Sequence, residues 1–416
     1  MAEAGKFDGV DLQALASELK TPLHVYSAAV IRQRIATLQM ALAGLDATIC
    51  YAVKANSNVA VLRLMAEHGV GADIVSAGEL RRSLHAGVPS GHIVFSGVGK
   101  TEDEMTEAQA AGIARFNIES ADELASLQRL AQARGVIAHA AVRINPDVDA
   151  GTHAKISTGK LETKFGVSID EARSWFGNST RYTHVCLDGL HMHIGSQVMT
   201  LEPFELALAR LAEFWRELTT AGHAIASIDV GGGLGVCYRG GYDLPVSAAD
   251  YVRAIREALH GFAGRIVLEP GRWLVAEAGV LLTRVLRIKQ GEQRRFLVLD
   301  AAMNDLPRPS LYDAWHDLEA VSRSSRPRTT YDVVGPVCET GDTFARSRQM
   351  PECVPGDLLM FKATGAYSAA MASTYNSRPL AAEVLVDAGR YAVVRRRQTF
   401  EELISGESMV TSWQTT

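Results

Sequence analysis

The chain has 416 residues, 47% hydrophobic and 21% charged, with a formal net charge of −5. That length predicts two domains, or one large barrel with an addition. The balance is that of an ordinary globular protein, and mild acidity without a long basic run argues against nucleic acid or an anionic membrane surface as partner.

In chain order, the N-terminal "MAEAGKFDGVDLQALASELK" lacks the basic start and apolar run of a signal peptide. No stretch approaches the ~20 apolar residues of a membrane span, so a cytoplasmic protein is expected. "TPLHVYSA" is strand-like, and "SAAVIRQRIATLQMALAG" reads as a helix. From about residue 45 to 272, short apolar β-branched runs alternate with amphipathic runs. The candidate strands are "TICYAV", "GADIVS", "HIVFSG", "ARFNIES", "HAAVRINP", "LDGLHMHIGS", "IASIDVGGG" and "RIVLEPG". Helical patterns such as "ADELASLQRLAQARG" lie between them and several end in glycine, a common helix stop. Eight such strands predict an α/β (β/α)8 barrel. An open doubly wound sheet is the alternative, and the count favours closure. After about residue 278, "GVLLTRVLRIKQ", "RRFLVLDA", "TTYDVVGP", "DLLMFKATG", "AAEVLVDAG" and "RYAVVRRR" read as strands with few helices. The expected division is residues 1–30 contributing to a β domain, 31–277 as the barrel and 278–416 as the rest of the β domain.

Barrel enzymes place their chemistry at the C-terminal ends of the strands. Polar residues gather there: Lys54 after strand one, Ser76 and Glu79 after two, Asn117 and Glu119 on four, Arg143 and Asn145 on five. "HMHIGSQ", "DVGGG" and "LEPGR" end strands six, seven and eight. Lys54, set between Val53 and Ala55, is either a snorkelling surface lysine or an amine held for chemistry. Apolar flanks there predict a low-dielectric setting that favours the neutral amine. Alone, Gly231, Gly232 and Gly233 are a flexible turn. After strand seven they point to a phosphate, because glycine lets backbone N–H groups approach its oxygens. Strand alternation puts His191 and His193 on one face, where they are satisfied interior histidines, metal ligands or a flat surface for a planar ligand. No third metal ligand is evident from an adjoining strand, and the five scattered cysteines add no zinc pattern or disulfide framework, so no metal is expected. Glu269, ending an apolar strand, needs a partner, and a protonated ring nitrogen would serve. Ser196 could bond a phosphate. Together these features fit pyridoxal 5′-phosphate (PLP): an aldehyde for Lys54, a flat ring for His193, a phosphate for the glycines and a ring nitrogen for Glu269.

"YAVKAN", "HMHIGSQ", "DVGGGLG", "EPGR", "GPVCETGDTF" and "GAYSAAMASTYNSRP" together resemble the PLP-dependent decarboxylases of the alanine racemase-like fold, over about residues 20 to 410. The resemblance implies a PLP-binding barrel plus a mostly β domain, sandwich or Greek-key barrel, taking strands from both termini. It implies that Lys54 forms a Schiff base with the cofactor and His193 stacks on the ring. Ser196, Gly231 to Gly233, Tyr367 and backbone N–H groups around Gly271 and Arg272 would hold the phosphate, and Glu269 the pyridine nitrogen. It further implies a homodimer with shared active sites, Cys338 and Glu339 entering from the partner subunit. Cys338 would handle the proton; a small apolar core residue is its bland reading. Arg272, Arg308, Tyr312, Glu339 and Tyr367 would bind substrate, the two arginines suiting a distal carboxylate. The implied reaction is decarboxylation of meso-2,6-diaminopimelate at its D-centre to L-lysine, the last step of bacterial lysine synthesis. Thr340 stands where the motif has Ser, which keeps the hydroxyl. Rival readings are a decarboxylase of ornithine, arginine or carboxynorspermidine, an amino-acid racemase, and a non-catalytic PLP carrier. Arg308 and Tyr312 disfavour ornithine, Glu269 disfavours the racemase, and the C-terminal β domain disfavours the carrier. Residues 149 to 166 are a plausible lid.

Overall fold

The computed structural model describes residues 5–149, 164–322, 324–410 and 413, so the expected lid lies almost wholly outside the described residues. The chain divides into two compact units: Ala28–Ala278, and the stretch up to Ser27 together with Gly279 onward.

In the first unit, eight strands form a closed parallel barrel: Ala47–Ala52, Gly71–Ile74, Ile93–Phe95, Arg115–Ile118, Ala138–Arg143, Val185–His191, Ser227–Asp229 and Arg265–Leu268. Each pairs with its chain neighbour, and the eighth returns to the first through Ile266 opposite Ala47. The intervening helices begin on side-chain caps. Ser76, Thr101, Ser120, Ser168 and Ser247 each accept a backbone N–H of the first turn, and Thr101 completes a capping box with Glu104. Gly112 and Gly135 close two helices in the left-handed conformation, a stop that costs glycine least. The helix Glu202–Thr220 buries Phe204, Leu208, Leu211 and Leu218 and leaves its other face to solvent. Among the described residues no helix is long and apolar enough to cross a membrane.

Two buried charged knots fix the C-terminal mouth. Lys100 Nζ donates to the carbonyls of Gly97 and Asn117 and to Glu123, tying the loops after strands three and four. Glu119 accepts from Arg143 and from the N–H groups of Gly97 and Gly166. Both pairs are buried with their hydrogen bonds made, the condition under which buried charge is tolerated.

In the second unit, seven strands run in the order Thr343–Pro351, Arg328–Val334, Arg295–Leu299, Gly279–Gln290, Leu23–Ser27, Ala382–Asp387, Arg390–Arg395. The N-terminal strand Leu23–Ser27 lies between Gly279–Gln290 and Ala382–Asp387. Gly279–Gln290 also pairs with Leu358–Lys362, so this long strand serves two apolar clusters: Leu281, Tyr331 and Phe361 in one, Leu23, Val280 and Val384 in the other. Thr343–Pro351 is absent from the expected strands. It reads "TFARSRQMP", and its buried face includes Arg348 between Phe344 and Met350, a polar interruption of the apolar alternation by which a half-buried strand is recognised.

Candidate active site

The first barrel strand ends at Ala52, whose N–H donates to Pro270 O, and Val53–Ala55 form a single 3-10 turn. Lys54 therefore sits on that turn just past the strand end, and its surroundings differ from the apolar pocket expected. The Lys54 side chain is 39% exposed, and Nζ lies 2.7 Å from Oδ2 of fully buried Asp73, on strand two. An adjacent carboxylate favours the ammonium form. Asp73 stood unremarked inside "GADIVS"; an acid within an apolar strand was the signal. Nearby, Glu79 accepts the Val75 N–H, and burial pushes its carboxyl up to about 7 against the pull of that bond and of Lys54.

Glu269 lies at the end of strand eight with His191, Asn117 and Ser96 around it. Oε2 is 3.1 Å from His191 Nε2. Oε1 accepts from Asn117 Nδ2 at 3.1 Å and Ser96 Oγ at 3.3 Å. Burial alone would raise this carboxyl, but the charge and hydrogen bond of His191, with Lys54 and His193, hold it below the usual carboxylate range. Burial pushes Asp73 and Asp229 up, and the Glu269 charge adds to both. One buried carboxyl is thus held down and two are pushed up, a division set by environment. The expectation that adjoining strands bring no third donor to the histidines is corrected here. Asp229 and Glu269 each place an oxygen within 4.8 Å of a His191 ring nitrogen.

The expected pairing of His191 and His193 on one strand face also changes. The strand ends at His191, so alternation does not extend to His193, which lies in the following loop. His193 Nδ1 accepts the Gly232 N–H at 3.1 Å. Burial, then Arg143 and Lys54, push the imidazole down to about 3, which leaves a neutral flat ring at neutral pH.

The glycines answer first to backbone crowding. A Cβ at Gly231 would lie 2.3 Å from Met192 O, at Gly232 2.2 Å from Glu269 O, and at Gly233 2.5 Å from Gly195 O. The loop after strand seven is thus wedged between those after strands six and eight. Two of its N–H groups are already used: Gly231 donates to Asp229 and Gly232 to His193. At Gly271 a Cβ would press on Ala52 and Ala55 beside the Lys54 turn. Ser196 Oγ accepts from Arg272 Nη2 at 2.9 Å, which leaves its hydroxyl hydrogen for an anionic oxygen. Arg272 Nη1 donates to Tyr238 OH at 2.6 Å, a partner the sequence did not disclose.

The β unit holds the remaining candidates. Arg308 opens the short helix Arg308–Tyr312 and is buried. Its Nη1 is 2.7 Å from His316 Nε2, while His316 Nδ1 is 2.8 Å from Lys362 O. The carbonyl demands a donor at Nδ1, so Nε2 is the acceptor facing the guanidinium. Cys338, Glu339 and Thr340 are exposed, with the Cys338 N–H on Asn376 Oδ1. Tyr367 is half-buried with φ +55°, a left-handed conformation uncommon for a tyrosine.

A closed barrel whose mouth carries a lysine, a buried ionised carboxylate and a glycine-wedged loop is of the class to which residues 28–276 match: "Pyridoxal-dependent decarboxylase, pyridoxal binding domain". Over 408 residues, 97% of this chain and 96% of the relative, it is 47% identical to the diaminopimelate decarboxylase of Zymomonas mobilis. It is 50% identical over 404 residues to that of Pseudomonas aeruginosa, covering 97% of this chain and 96% of the relative. The crystal structure of Helicobacter pylori diaminopimelate decarboxylase complexed with L-lysine superposes with a TM-score of 0.92 at 41% identity, over 95% of this chain and 99% of that one. The chain belongs to the diaminopimelate decarboxylase family, with PLP as its cofactor. The donor set fits that group: an amine at Lys54, a neutral imidazole at His193, a carboxylate held ionised at Glu269 and a hydroxyl hydrogen at Ser196.

Proposed function

We propose that this protein removes CO2 from the D-centre of meso-2,6-diaminopimelate and releases L-lysine, the last step of bacterial lysine synthesis. The observation that carries the reading is the Glu269 carboxylate, buried and kept ionised by His191 at the mouth of a barrel, in a chain 47% identical over nearly its whole length to an enzyme of that name. When bound, PLP supplies an electrophilic aldehyde and a ring that accepts the electron pair left by departing CO2. Lys54 Nζ would hold the aldehyde carbon, with Asp73 as its acidic partner. Glu269 would accept the hydrogen bond of the pyridine nitrogen and keep its proton there. His193 would lie against the ring, where a neutral imidazole adds no competing charge. Ser196, the Gly231–Gly233 loop, the turn at Gly271 and Arg272, and Tyr367 would hold the phosphate.

The substrate's distal end is read by Arg272, Arg308 and Tyr312, with Glu339 on its ammonium and Tyr367 alongside. The arginines distinguish a dicarboxylate from ornithine, because a carboxylate takes the guanidinium fork bidentately. The protein works as a homodimer, and Cys338 of the partner subunit delivers the proton to the substrate carbon. The exposure of the Cys338–Thr340 stretch supports an entry from outside its own chain. The test is an assay of CO2 and L-lysine from meso-diaminopimelate, with and without added PLP, beside ornithine. Release from meso-diaminopimelate is expected; release from ornithine alone, or from neither, defeats the reading.

A further inference from the structure

Toward the N-terminal ends of strands five and six, away from the strand ends that carry Lys54 and Glu269, three donors of different kinds meet. His139 stands opposite Cys186 in the strand pairing. The pairing then slips by one residue, with Ala140 opposite Leu187 but Ala141 opposite Gly189. Asp188 is therefore the extra residue of a bulge, a feature that re-aims a side chain. His139 Nδ1 lies 2.7 Å from Asp188 Oδ2. A ring nitrogen of His139, the Cys186 sulfur and an oxygen of Asp188 all lie within 4.8 Å of one another. Sequence spacing does not show this set, because its members meet across two strands.

All three residues reach solvent. The His139 side chain is 52% exposed and that of Asp188 13%, and Cys186 is half-buried. His139 and Asp188 also line a cavity of about 410 Å³, which leaves room for water on a bound ion. Asp188 pairs one oxygen with Arg115, whose Nη2 is 3.0 Å from Oδ1, and turns Oδ2 to the cluster. An outer partner of that kind orients a ligating carboxylate. Burial, then the charge and hydrogen bond of Asp188, push the Cys186 thiol up, so the sulfur faces the carboxylate and donates its proton toward it.

Thiolate, imidazole and carboxylate together select a borderline-soft divalent ion over magnesium or calcium, which take oxygen ligands. Tetrahedral bonds of ~2.0–2.3 Å set such ligand atoms about 3.3–3.6 Å apart. The His139–Asp188 contact, now 2.7 Å, opens by roughly half an ångström to admit the ion, and an exposed imidazole is free to swing that far.

We propose that His139, Cys186 and Asp188 bind one zinc ion per chain, with water in the fourth position. The Asp188 oxygen demands a donor at His139 Nδ1 in the empty site. Coordination moves that proton to Nε2, leaving Nδ1 as the ligand, and releases the Cys186 thiol proton to solvent. The ion ties strand five to strand six, so the melting temperature rises with zinc concentration.

The probe is zinc chloride, titrated calorimetrically into the PLP-loaded enzyme, with the ligands of the bound ion read by X-ray absorption. One equivalent per chain and one sulfur at about 2.3 Å are expected. Affinity falls at least about tenfold in Cys186→Ser and in His139→Ala, since loss of an outer partner alone commonly costs that much. Magnesium chloride does not bind. No zinc bound, a bound ion without sulfur, magnesium bound as tightly as zinc, or unchanged affinity in both variants would each overturn the site. The first three need no variant, so the inference stays decidable if Cys186→Ser fails to fold.

Discussion

At the barrel mouth the polar groups are buried or half-buried and already partnered. Glu269 has His191, Asn117 and Ser96, and Lys54 has Asp73. In the β unit, Cys338, Glu339 and Thr340 are exposed on a loop held through backbone bonds such as Cys338 N–H to Asn376. On the proposed reading, the cofactor half of the chemistry is built in advance within one chain, and the proton-handling half sits on an exposed loop open to a second copy. Preorganised dipoles and charges around a reacting centre need no reorganisation when charge develops, so burial is an asset there.

The contrast predicts different kinds of damage. Lys54→Ala should lose the visible absorbance of the protein-bound cofactor, with turnover down on the order of 10⁴ or more. Persistence of that absorbance would sink its assigned role. Cys338→Ala should lose about 10²–10⁴ in kcat while the absorbance stays. Unchanged turnover there would return Cys338 to an ordinary surface residue. Mixing the two inactive variants and allowing subunits to exchange should restore roughly one quarter of normal activity, since half the dimers carry one intact shared site of two. No recovery would mean that each chain uses its own cysteine. Glu269→Gln should cost about 10²-fold or more in kcat while leaving folding intact, and a variant with normal kcat would remove the ring-nitrogen assignment.

The smallest effect belongs to the β unit and concerns stability. His24 is fully buried on the strand Leu23–Ser27, with neither ring nitrogen hydrogen-bonded among the described residues. Burial, then the Arg395 and Arg397 charges, push its pKa down to about 3 from 6.5. The unfolded chain therefore takes the proton first as pH falls through 6.5, and stability drops toward pH 3. At pH 5 the loss is about 2 kcal/mol. Denaturant midpoints for His24→Phe should fall less between pH 7 and pH 5 than those of the unaltered protein; an equal fall would discount this histidine as the cause.

Much of the candidate site was legible because polar residues at strand ends stand out against apolar runs. Lys54 after "YAV" and Glu269 after "RIVL" are visible for that reason. Asp73 and Asp229 are equally polar within strands, yet nothing local says that both come close enough to Glu269 to feel its charge. His316 and Tyr238 were missed because their importance lies in the arginines they hold, Arg308 and Arg272, from 8 and 34 residues away.

By itself the sequence determined the barrel, the strand-rich region that follows it and the chemical kind of each mouth residue. Period-2 and period-3.6 patterns and chain-local caps are short-range properties, written in consecutive residues. Only the tertiary structure decided which partner each charge received. Lys54 gained an ion pair with Asp73 in place of an apolar pocket, Glu269 stayed ionised through His191, and Gly231 to Gly233 became the wedge between two other loops. Those outcomes depend on distances between strands far apart in sequence, and electrostatic and steric energies are set by distance in space, not by spacing along the chain.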